Sequence, residues 1–167
     1  MPEKKTLQRA RKDKREGKAP TTQAGEFVRE EMEHVRRGKH GARSTKQAIA
    51  IGLSKARRSG VHLGPPPASA KRKTRQSAAS ASRAGRRRRR VSAKRSRATA
   101  AALKREPRRA ASRKALAKQA RTAARRRPAA ARRRSARKAV RTKGPRVRHA
   151  AARRAAQTRS RRRRAQS

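Results

Sequence analysis

The sequence predicts a mostly α-helical chain: a short helical hairpin over about residues 23–37 and 45–59, preceded by a basic disordered arm and followed by a long low-complexity basic tail, disordered or transiently helical. Three observations carry this. Apolar residues recur at helical spacing only between residues 21 and 64, the formal net charge is +49 over 167 residues, and everything after Pro67 is dominated by arginine, alanine and serine.

The arm is residues 1–20, in which Leu7 is the sole large aliphatic beyond Met1. In the hairpin domain, residues 21–64, the first helix carries Ala24, Phe27, Val28, Met32 and Val35 near one face, with Thr22 as the expected N-cap and Gly38 just past the end. The second helix is better marked. Ser44 with Gln47 forms a capping box, Gly60 suits a left-handed C-terminal cap, and Ala48, Ile49, Gly52, Leu53 and Ala56 make the buried stripe. The expected packing residues are therefore Phe27, Val28, Met32, Val35, Ile49 and Leu53. The small residues Ala48, Gly52 and Ala56 recur every four positions and allow a helix to approach closely, in ordinary packing or in self-association. A hairpin of this size sits at the lower limit for a domain, so a homo-oligomer, a docking partner or marginal stability is expected.

Pro65, Pro66 and Pro67 form a stiff spacer. Charge divides there: residues 1–67 hold 17 basic and 7 acidic side chains, whereas residues 68–167 hold 40 basic side chains and the single acid Glu106. Pro107, Pro128 and the Gly144–Pro145 pair interrupt the tail, and between them alanine and arginine favour helix, as over about 109–126, where Leu116 and nearby alanines share a side. Ordering on a polyanion is expected for such a segment.

A polycation of this density requires charge compensation, and DNA and RNA are the compact polyanions available. The tail's 40 basic groups match the phosphates along about 70 Å of duplex, while an extended 100-residue chain reaches about 330–360 Å, which permits bridging as well as wrapping. The expected nucleic-acid contacts are Arg86, Arg87, Arg88, Arg89, Arg90, Arg125, Arg126, Arg127, Arg132, Arg133, Arg134, Arg161, Arg162, Arg163 and Arg164, joined by Lys39, Arg43, Lys46, Lys55, Arg57 and Arg58 of the hairpin. Arginine outnumbers lysine 32 to 8 in the tail, which favours bidentate phosphate contacts. Phe27 is the only aromatic residue, so a stacking platform for single strands is absent.

Glu26, Glu30, Glu31 and Glu33 fall on the first hairpin helix. They read either as a solvated face, with Glu33 and Arg37 an i,i+4 pair, or as an acidic face competing with nucleic acid for the basic segments. Cysteine is absent, and His34, His40, His62 and His149 show neither i,i+4 spacing nor companion ligands, so no metal or other cofactor is expected. Asp13 is the only aspartate and lies in the basic arm, which leaves no Ser/His/Asp set and points away from an enzyme. Gly38–Lys39–His40–Gly41 matches the GxxG of KH domains locally, without the alternating strands that fold requires. Lys39 followed by His40 fails the phosphate-loop pattern, and the connection between the helices is long for a helix-turn-helix. The start has no apolar leader and the longest apolar run is far short of a membrane span, so a cytoplasmic protein without membrane or small-molecule partners is expected.

The stretch TQAGEFVREEMEHVRRGKHGARSTKQAIAIGLSKARRSGVHLGPPP, residues 22–67, resembles a small proteobacterial domain-of-unknown-function family with the TQAGEFVREE opening, the GKHGARST turn and the QAIAIGLSKAR helix. Residues 1–20 resemble that family's basic arm. The resemblance implies a bacterial chain and brings no activity with it. The remaining 100 residues are similar in composition to linker-histone tails and to the basic tails of some bacterial regulators. Together these readings predict a non-enzymatic, nucleoid-associated, histone-like protein that binds and bridges DNA with little regard to sequence; an RNA-binding or ribosome-associated basic protein is the alternative.

Overall fold

The computed structural model describes residues 2–87 and 92–165. Seven α-helices are present among them: α1 (Lys4–Arg15), α2 (Pro20–Arg36), α3 (Thr45–Arg58), α4 (Arg72–Arg86), α5 (Ala93–Lys104), α6 (Arg113–Arg126) and α7 (Ala129–Arg164), with a 3₁₀ turn at Arg108–Ala111. Local chemistry sets the ends. Pro20 at the first position of α2 has no amide to leave unpaired, so α2 starts there and not at a Thr22 cap. The Gln47 amide donates to Ser44 Oγ at 3.2 Å, while Gln47 Oε1 accepts from the Arg43 amide at 2.8 Å. Gly38 and Gly60 follow the ends of α2 and α3 with φ of 75° and 86°.

By internal packing the chain forms two units, residues 1–119 and 120–167. In the first, α1 packs on α2, α2 on α3 and α3 on α4, and the 3₁₀ turn lies against α2 and α3. Two apolar clusters hold it. One joins Met32, Val35, Ala42 and Ala48 to Ala110 and Ala111, with Val28, Ile49 and Leu116 around them. The other joins Ala24, Phe27 and Ala56 to Ala10, with Leu7, Leu53, Val61 and Leu63 at its edge.

These contacts correct the expectation of a lone hairpin between a disordered arm and a disordered tail. The arm is α1, whose Leu7 and Ala10 cover Ala24 and Phe27 and whose Asp13 is buried beside Lys18. The first part of the tail closes the hairpin: Ala110 and Ala111 enter its core, Ala81 of α4 is buried, and Thr45 Oγ1 donates to the Ala110 carbonyl at 2.7 Å. The Gly41 amide donates to Leu103 O and the Ala42 amide to Pro107 O, at 2.8 and 3.1 Å. The described chain is thus a helical assembly and not an intrinsically disordered, arginine-rich hairpin. The reason is the core's composition. Scarcity of large aliphatics predicts disorder, but this core is built largely of alanine, which has the highest helix propensity and loses no side-chain entropy on burial.

Close backbone approach accompanies the small residues. A Cβ on Gly52 would stand 2.7 Å from Val28 Cα, so α2 lies directly against α3. Ala48, Gly52 and Ala56 are buried within the chain, which absorbs the small-residue stripe into packing against its own helices.

In the second unit, α7 is interrupted at Gly144, which has φ 62° and ψ 168° and precedes Pro145. Pro128 caps its start. No helix among the described residues is long and apolar enough to cross a membrane.

Candidate nucleic-acid interface

All eight acids of the chain have a basic group within 4 Å, and this decides which cations remain available. Glu26 pairs with Arg9 at 3.5 Å, Glu33 with Arg29 and Arg37 at 3.5 and 3.6 Å, Asp13 and Glu16 with Lys18 at 2.8 and 2.7 Å, and Glu106 with Arg43 at 3.8 Å. Glu3 holds Lys39 at 2.7 Å, and Lys55 lies 3.2 Å from Glu30 Oε1 and 2.7 Å from Glu31 Oε2.

The acids of α2 therefore do not form one solvated face. The Glu30 and Glu31 side chains are 2% and 0% exposed. Burial pushes the Glu30 carboxyl up, but hydrogen bonds from the Thr6 hydroxyl and the Glu3 amide, with the Lys55 ammonium, outweigh it and leave it lowered. Burial alone would lower Lys55; Glu31 first and then Glu30 reverse this, so Lys55 stays a cation held inside the fold. The hydrogen bond from Lys39, followed by that with His34, holds the Glu3 carboxyl at about 2, below its ordinary 4.5.

The expected interface residues of the hairpin thus separate. Lys55 is enclosed by Glu30 and Glu31, whereas Lys39 and Arg43 pair with Glu3 and Glu106 and stay exposed, and Arg57 donates to the Gly64 carbonyl at 3.0 Å. Lys46 and Arg58 are exposed. Arg86 and Arg87 are exposed at the end of α4, whereas Arg88, Arg89 and Arg90 lie outside the described residues. In the second unit Arg125, Arg126, Arg127, Arg132, Arg133, Arg134, Arg161, Arg163 and Arg164 are exposed; the side chain of Arg162 lies outside the described ones. Arg127 donates to Ser135 Oγ at 2.6 Å.

Runs of arginine have a geometric consequence on a helix. Three consecutive positions such as Arg132, Arg133 and Arg134 span about 200° around the axis, so their guanidinium groups radiate and do not form one stripe. One longitudinal side of α7 carries Arg146, His149, Arg153, Arg154 and Gln157.

The fold also assembles cations that the sequence reading did not select. Arg36, Arg108, Arg109 and Arg113, with Ala111 and Ser112, line an open cleft of about 480 Å³. Arg36 Nε donates to the Ala111 carbonyl at 3.0 Å, which fixes one wall. Its components are 72 residues apart in the chain, and no local motif marks them. Another grouping overturns the absence of companion ligands expected for the histidines: Glu31, His34 and His40 present ligand atoms within 4.8 Å of one another.

No family model, no curated protein and no solved structure matches the chain.

Proposed function

We propose that the protein is a non-enzymatic, nucleoid-associated DNA-binding protein of the bacterial cytoplasm that compacts and bridges duplexes with little sequence preference. Residues 22–67 are read as its family-specific part and the basic segment as its principal binding device. The observation that carries this reading is the distribution of charge: residues 120–167 contain 20 basic side chains and no acid. Their neutralisation length is about 34 Å of duplex.

The radiating arginines of α7 support bridging. A duplex laid along one side of the helix leaves the guanidinium groups on the other side for a second polyanion, so bridging needs no second copy of the chain. Self-association would use surfaces other than Ala48, Gly52 and Ala56, which are occupied internally. The lack of base discrimination follows from the side chains on offer. Phe27 is fully buried and cannot stack on bases, and arginine forks on a helix of this kind contact phosphate.

The test is a salt titration of mixed-sequence duplex binding by the full chain and by a variant with Arg132, Arg133, Arg134, Arg161, Arg163 and Arg164 all changed to Gln. The log–log salt slope falls by up to about 5, at about 0.9 per lost phosphate contact, and co-sedimentation of two distinguishable duplexes is lost. Undiminished affinity of the variant at moderate salt overturns the reading. Treating cell-derived complexes separately with DNase and RNase identifies the bound polymer; release by RNase alone replaces DNA with RNA.

A further inference from the structure

Outside the basic surface, the described residues hold a site of different chemistry. Glu31 and His34 stand one helical turn apart on α2, and His40 is returned toward them by the turn at Gly38 and by the backbone bonds that tie Gly41 and Ala42 to residues 103 and 107. The two imidazoles meet edge to face, with ring centroids 6.0 Å apart. They are shielded, their side chains only 12% and 16% exposed, and Glu31 is completely buried.

Hydrogen bonding fixes the chemistry of His40. Its Nδ1 lies 3.0 Å from the Gly41 carbonyl, which can only accept, so Nδ1 carries a hydrogen. Its Nε2 then faces Glu31 Oε1 at 3.1 Å. In the neutral ring this opposes a nitrogen lone pair to a carboxylate oxygen, an arrangement that a shared cation relieves. A backbone carbonyl holding the far ring nitrogen is also the arrangement that orients metal-binding histidines. Neither Glu31 oxygen receives a hydrogen bond of good geometry, although Lys55 Nζ stands 2.7 Å from Oε2. The surrounding charges leave room for a cation: Glu3, Glu30 and Glu31 exceed Lys39 and Lys55 by one negative charge.

We propose that Glu31, His34 and His40 bind one first-row divalent cation of Zn²⁺ type, joining the last turns of α2 to the loop that leads into α3. Two imidazoles and one carboxylate suit Zn²⁺ or Co²⁺ better than Mg²⁺ or Ca²⁺, which take oxygen shells. Ligand bonds of about 2.0–2.2 Å require the three donors to draw together from their present spacing. Coordination requires His34 to turn away from Glu3 Oε1, now 2.8 Å from its Nε2. Three protein ligands leave a fourth position for water or for Glu3.

The test uses the full chain, freed of nucleic acid and treated with chelator, titrated with Co²⁺ alone and then with Zn²⁺ as competitor. The expected result is one equivalent of Co²⁺ with visible ligand-field absorption, displaced by Zn²⁺. His34→Gln and His40→Gln each weaken binding at least about tenfold, while His62→Gln and His149→Gln leave it unchanged. Imidazole ¹⁵N spectra of the unaltered chain test the same assignment without relying on a variant to fold: Zn²⁺ shifts the resonances of His34 and His40 and not those of His62 and His149. Absence of a stoichiometric equivalent, dependence on His62 or His149, or binding undiminished in a His34→Gln/His40→Gln double variant overturns the proposal.

Discussion

Residues 1–119 and residues 120–167 use the same cationic side chains in different settings. In the first unit every carboxylate has a basic neighbour within 4 Å, and Lys55 is enclosed between two buried glutamates. In the second, 20 basic residues have no carboxylate among them. A basic residue in the first unit can therefore be part of the fold, whereas the described basic side chains of α7 are almost all exposed and have no Asp or Glu in their own segment.

The largest expected contrast is at Lys55. Lys55→Met leaves Glu30 and Glu31 buried without their cation and costs about 3–5 kcal/mol in urea unfolding followed by far-UV circular dichroism. Lys138→Met on α7 stays within about 0.5 kcal/mol, and equal losses at the two sites break the comparison.

Gly52→Ala comes next. The new Cβ meets the backbone of Val28 at 2.7 Å and of Phe27 at 3.0 Å, which cannot move aside as a side chain can. The gain in helix propensity is at most about 1 kcal/mol, against about 1–3 kcal/mol for overpacking, so the thermal midpoint falls. A raised midpoint would show that α2 and α3 are not in close contact. Ser44→Ala removes the acceptor for the Gln47 amide and costs about 1 kcal/mol, read from the same unfolding curves.

The smallest effect is the acid response of Glu3. Its folded carboxyl is held at about 2 by Lys39 and His34, below the ordinary 4.5, so its contribution to stability is complete above about pH 4.5 and is lost as the pH falls toward 2. An acid titration of helicity shows a shallower loss over that window in Glu3→Gln than in the unaltered chain. Identical slopes would remove Glu3 from the contacts that hold α1 to α2.

Local signals located much of the secondary structure. Ser44 and Gln47 mark the start of α3, Gly38 and Gly60 follow α2 and α3, and Pro107, Pro128 and Gly144 mark interruptions later in the chain. Each acts within about four residues of itself, which is why a linear reading finds it. The partners of the hairpin were not legible in the same way. Leu7 and Ala10 look like any residues of a basic arm, and Ala110 and Ala111 are two alanines among many. Nothing adjacent to them tells which will be buried against Phe27 or Val35. The acids of α2 were misplaced for a related reason: helical spacing puts Glu30 and Glu31 on adjacent faces, but only the arrival of Lys55 from α3 and Glu3 from α1 makes both interior.

The sequence by itself determined the excess of cation, its concentration after Pro67, and the helix ends that glycine, proline and serine set locally. Tertiary structure decided which of those cations the chain keeps for itself and which it leaves exposed. It also folded alanine-rich segments into the core and brought His40 back to Glu31 and His34. The division follows from the range of the forces: caps and backbone propensities act between neighbours along the chain, whereas ion pairing, burial and ligand convergence depend on distances that only the packed helices establish.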